Sequence, residues 1–102
     1  MATEVLWSPR AREDLIEIYM TIAVERPDVA ERYFDRIEAK VRWLQDQPRR
    51  GSRRSDIRPG ARVLVEAPYL ILYETVPDTD GPLEAVVIVR VVDGRRDLPS
   101  LF

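Results

Sequence analysis

With 102 residues, 45% of them hydrophobic, the chain has room for one domain with its own core and too little for two. It contains neither Cys nor His, which excludes disulfides, thiolate nucleophiles, the usual neutral-pH proton shuttle and the commonest metal ligands. The net charge of −2 hides an uneven spread: every basic residue except Lys40 is Arg, and from Arg49 to Arg62 six Arg face one acid, Asp56, leaving +5.

Residues Thr3 to Trp7 alternate polar and apolar side chains and predict a short strand. Ser8 followed by Pro9 then reads as a helix start, because the hydroxyl can accept an orphan amide while proline sits where its missing N–H costs nothing. Ala11, Leu15, Ile18, Tyr19 and Ile22 fall on one face of that helix, which should end near Glu25. Pro27 and Asp28 open a second, longer helix with Ala30, Tyr33, Phe34, Ile37, Val41 and Leu44 as its apolar stripe. Pro48 and Gly51 are its stop signals. A link of a few residues makes the pair an antiparallel hairpin.

The second half holds three β-branched-rich runs, "ARVLVE", "YLILYETV" and "EAVVIVRVV", separated by Ala67-Pro68 and by "PDTDGP". Short links favour antiparallel neighbours. The predicted fold class is therefore α+β, a helical hairpin packed on one antiparallel sheet in the order β-α-α-β-β-β, as one domain over 1–102. Alternation suggests Val63, Val65, Leu70, Leu72, Val87, Val89 and Val91 for the helix-facing side. The other side would carry Arg62, Leu64, Glu66, Tyr69, Ile71, Tyr73, Val86, Ile88 and Arg90. That second face is too apolar for water alone, so the tail "DLPSLF", with Leu98, Leu101 and Phe102, or a partner should cover it. Glu4 and Ser8 interrupt any signal-like run, and no stretch of about 18 apolar residues exists, so a soluble cytoplasmic protein is expected.

No phosphate-binding glycine loop, nucleophile elbow or zinc-protease helix motif is present, and neither cofactor nor metal is expected. Glu13 and Glu17 share a helix face, but with Asp14 and nearby Arg they read as a solvated surface. The Arg clusters suit anions or acidic partners; a solvated loop is the alternative for Arg49 to Arg62. Tyr69 and Tyr73, beside Arg62 and Arg90, are candidates for partner contact or packing rather than acid–base work. Arg90 has two readings, an ion pair with Glu66 or Glu74 across the sheet, or target contact.

The ordered segments "WSPRAREDLIEIYMTIA", "RPDVAERYFDRIEAKVRWLQDQPRRG", "DIRPGARVLVEAPYLILYETV" and "VVIVRVVDGRRDLPSLF" resemble the toxin component of bacterial type II toxin–antitoxin modules of the ParE/RelE superfamily. The resemblance covers nearly the whole chain. It implies a toxin neutralised by direct binding of a cognate antitoxin, ParD-like and of ribbon-helix-helix type, in a hetero-oligomer. ParE-like members are described as poisoning DNA gyrase, and RelE-like members as cutting messenger RNA on the ribosome. Many relatives have His in "VLHGRRD", whereas here "VVDGRRD" places Asp93, and the sheet half has no Lys. Both departures favour the ParE branch, a gyrase inhibitor rather than a nuclease, with no direct nucleic-acid ligand. Arg58, Arg62, Tyr69, Tyr73, Arg90, Arg95 and Arg96 are the candidate partner-binding residues. A plain nucleic-acid module using the +5 stretch would instead show affinity that falls steeply with salt.

Overall fold

The computed structural model describes residues 2–96 and 98. Its elements in chain order are β1 (Glu4–Trp7), α1 (Pro9–Ala23), α2 (Pro27–Trp43), β2 (Ser52–Arg53), β3 (Arg62–Glu66), β4 (Tyr69–Val76) and β5 (Ala85–Asp93). The α+β class and the helical hairpin on a sheet are as the sequence predicts. The five strands lie in the order β1-β5-β4-β3-β2. Strands β2 to β5 pair antiparallel, while β1 joins the edge of β5 in parallel, so the sheet is mixed. The hairpin between β1 and β5 supplies the long crossover that a parallel neighbour needs.

Ser8 starts α1 as expected: its hydroxyl accepts the Ala11 N–H at 3.0 Å. The same hydroxyl donates to the Val89 carbonyl at 2.9 Å, so the cap also ties the helix to β5. Helix α2 begins at Pro27 without a side-chain cap, and Asp28 in its first turn and Lys40 and Arg42 in its last suit the helix dipole. Opposite charges along its solvated face form few pairs. Among the described residues, Asp28–Arg32 at 3.7 Å is the ion pair inside this helix.

The two sheet faces are the reverse of the expectation. Leu64, Ile71, Tyr73, Val86, Ile88 and Val91 pack under the helices against Ala11, Leu15, Ile37, Val41 and Leu44, with Tyr69 at the margin. Of the seven residues expected there, Val91 alone belongs to that core cluster. Strand period gives relative parity but not which face is inside, and the bulkier set, Ile71, Tyr73 and Ile88, fills the space beneath the hairpin. Val91 rejoins this side because Leu72 pairs with Arg90 and Tyr73 with Ile88, leaving Val89 as an unpaired bulge that switches faces along β5.

The far face is partly sealed by the chain itself. Val63, Leu72 and Val92 pack with Ile57 and Ala61 of the loop before β3 and with Leu98. Leu98 thus fulfils part of the expected tail cover, while Leu101 and Phe102 lie outside the described residues. Tyr73 is wholly buried, and its hydroxyl accepts the Gly51 N–H at 2.8 Å. A Cβ on Gly51 would meet the Tyr73 ring at 2.6 Å and the Val63 carbonyl at 2.7 Å. Because backbone must move to admit it, Gly51→Ala is expected to cost about 1–3 kcal/mol in urea unfolding. A variant as stable as the parent would show that this approach is looser than described.

Candidate functional site

The bulge in β5 builds the most polar concavity of the chain. Where the strand twists around Val89, α1 crosses it, and a cleft of about 360 Å³ opens between them, bordered by Arg10, Asp14 and Glu17 of α1 and by Tyr69, Arg90 and Arg96. Asp14 lies on the buried stripe of α1 and is only 4% exposed. Its two oxygens take a bidentate pair from Arg90 at 2.8 and 3.0 Å, and one of them also accepts the Val91 N–H at 3.0 Å. Arg10 approaches the same carboxylate at 3.6 Å. The hydrogen bonds from Asp14 hold the Arg90 guanidinium above its ordinary range, so this side chain stays charged at any accessible pH.

At the mouth, Arg95 forks onto Asp93 with contacts of 2.9 and 2.6 Å. The Arg95 guanidinium, and then its backbone N–H, hold the Asp93 carboxyl down at about 2. A carboxylate held that low contributes stability above its unfolded value of about 3.9, and the contribution is lost as the pH falls through about 2. Carboxyl NMR titration should therefore give a midpoint near 2 for Asp93; an ordinary carboxylate midpoint would dissolve the Arg95 fork. Burial first, and the Asp93 charge second, push the Tyr69 phenol up, so it is neutral in neutral solution.

The seven candidate residues fall into three places. Tyr69, Arg90 and Arg96 share the cleft, with Arg95 beside it. Arg58 and Arg62 sit apart on the β2–β3 side: Arg58 pairs with Glu74 at 3.1 Å, and Arg62 donates to the carbonyls of Arg49 and Gly51. Tyr73 belongs to the core and presents no surface. Arg90 pairs with Asp14, and the two acids expected as its partners are engaged elsewhere, Glu66 with Lys40 and Glu74 with Arg58. Asp14 is the site residue that sequence reasoning missed, having been placed on a solvated face. The signal was present, since Asp14 stands three residues after Ala11 and four before Ile18, within their stripe.

The +5 stretch is largely neutralised inside the fold. Arg53 pairs with Asp78, Arg54 with Asp56, Arg49 with the carbonyls of Thr79 and Gly81, and Arg50 stacks on Trp43 at 4.6 Å. Among the described residues, no group of three or more acidic side chains is placed to hold a metal ion. Nor is any helix long and apolar enough to cross a membrane.

A family model described as the ParE toxin of the type II toxin–antitoxin system, parDE, matches residues 5–98. The chain belongs to the ParE toxin family. It is 41% identical over 72 residues to Toxin ParE3 of Caulobacter vibrioides, which covers 71% of this chain and 66% of that protein. The fold is similar to a solved chain of the chromosomal ParDE TA system from P. aeruginosa, with a TM-score of 0.71 and 25% identity over 90% of this chain and 96% of that one. The cleft, the β5 bulge and the helical hairpin are thus the surfaces of a ParE-type toxin fold.

Proposed function

We propose that this ParE-family chain acts by binding DNA gyrase and blocking it, without breaking a covalent bond, and that a ParD-like antitoxin silences it in the cytoplasm by direct occlusion within a hetero-oligomer. The state of the proton acceptors in the cleft carries this reading. Both oxygens of Asp14 are committed to Arg90 and Val91, Asp93 is held near 2 by Arg95, and the Tyr69 phenol is raised. Cleavage of RNA needs a group that takes a proton near neutral pH, and guanidinium groups cannot do so.

What the cleft does offer is contact chemistry. Arg96 and Arg95 are exposed at its rim, next to the Tyr69 ring, and Arg with Tyr are the residue types that anchor protein interfaces. In this reading Tyr69, Arg95 and Arg96 meet the partner, Arg90 shapes the floor beneath them, and Arg58 and Arg62 hold the β3 side. The name of the similar Caulobacter toxin and the ParDE system of the solved relative support an antitoxin partner.

Inducing the chain in cells without antitoxin, while labelling DNA and protein synthesis separately, tests the target. DNA synthesis stops first under this reading. Early arrest of translation with fragmented messenger RNA would replace it by RelE-type ribosome-dependent cleavage.

A further inference from the structure

The outer side of the helical hairpin carries an open apolar groove of about 470 Å³ between Ile16 and Tyr19 of α1 and Phe34 of α2. Ile16 and Phe34 also line a second depression of about 220 Å³ that reaches Trp7 and Glu38. Those two residues in turn line a third, of about 140 Å³, ending at Arg42 and Gln45. Together they make one track beside α2 from Glu31 to Gln45. At 1.5 Å per residue this is about 21 Å, the length of a helix of roughly four turns. Apolar side chains stand open along it, with Ile16 56% exposed and Met20, one turn further on, 62% exposed.

One edge of the track is acidic. Glu31, Asp35 and Glu38 follow one another at i, i+4 and i+7 on α2, all lining these depressions. Most other carboxylates facing a nearby cation are paired with it, but none of the ion pairs among the described residues involves these three, and neighbouring Arg32 turns to Asp28 instead. A second copy of this chain laid on the track would set like charges against each other. A helix with an apolar stripe and flanking cations would meet complementary charge along the whole strip.

We propose, resting on the antitoxin reading above, that Glu31, Asp35 and Glu38 are specificity-determining residues. They select an antitoxin helix of about four turns whose apolar stripe fills the track and whose Lys or Arg side chains face the three carboxylates. The apolar stripe supplies affinity, and the acidic strip rejects helices that carry acids at the same positions, as discrimination between partners requires.

The probe is the protein encoded by the reading frame next to this chain's gene, its affinity for the chain measured by calorimetry. Ile16→Glu should weaken binding about 100-fold or more, because a charge would enter the centre of an apolar contact. Glu31→Lys combined with Asp35→Lys should weaken it about tenfold, and Glu in place of the facing cations of the antitoxin should restore it. These positions are exposed, so the variants should keep the parent melting temperature. Unchanged affinity in both variants, with the antitoxin still bound, overturns the proposal and leaves the antitoxin reading standing. A parent chain that does not bind the adjacent-frame protein at all overturns both.

Discussion

Asp14→Ala should lower stability by about 3–5 kcal/mol, since it removes one half of a buried ion pair and leaves the other uncompensated. Arg90 is 13% exposed, and in the variant its guanidinium would face an apolar pocket with both hydrogen bonds to the carboxylate gone. The Val91 N–H would also lose its acceptor at the bulge. Asp14→Asn keeps an acceptor for one of these donors and should lose less. A double variant, Asp14→Leu with Arg90→Met, should recover much of the loss, because an apolar pair of similar volume avoids the desolvation that the ions suffer. Denaturant unfolding of the three variants checks the order; a harmless Asp14→Ala would mean that the carboxylate does not hold the bulge.

Tyr73→Ala should be of the same size, about 3–5 kcal/mol, for a different reason: it empties the centre of the core between β4 and the hairpin. Tyr73 is wholly buried and packs with Leu64, Ile71 and Ile88 in the cluster that the helices cover. Tyr73→Phe keeps the ring and orphans the Gly51 N–H, at a cost of about 1–2 kcal/mol. The Phe variant should bind partners as the parent does, since no part of this side chain reaches the surface. Reduced partner affinity in a normally folded Tyr73→Phe protein would return the residue to the contact surface.

Much of the architecture was legible in the residues. Ser8 and Pro9 mark the start of α1, Pro27 that of α2, and the three β-branched runs correspond to β3, β4 and β5, because caps, prolines and periodicity act locally. Which side of the sheet lies under the helices was not, because alternation is symmetric. Side-chain bulk should have decided it, since a face holding Ile71, Tyr73 and Ile88 holds more volume than one built from valines. The bulge at Val89 was beyond local reading, as it depends on Ser8 and Asp14 some eighty residues earlier in the chain. That single irregularity also explains the misassigned partner of Arg90: with the strand turned, the guanidinium reaches α1 rather than the acids of β3 and β4. Two of the seven candidate residues, Arg58 and Arg62, belong to another part of the surface because nothing in the sequence links the β2–β3 side to the end of β5.

These features place the action of the toxin in a rim of Arg and Tyr over a cleft whose acids are already engaged. A supercoiling assay with purified gyrase and relaxed plasmid tests that most directly. The account predicts that the chain alone halts supercoiling at near-equimolar ratio to the enzyme, that added antitoxin restores it, and that messenger RNA on ribosomes stays intact. Undiminished supercoiling alongside cleaved RNA would contradict it.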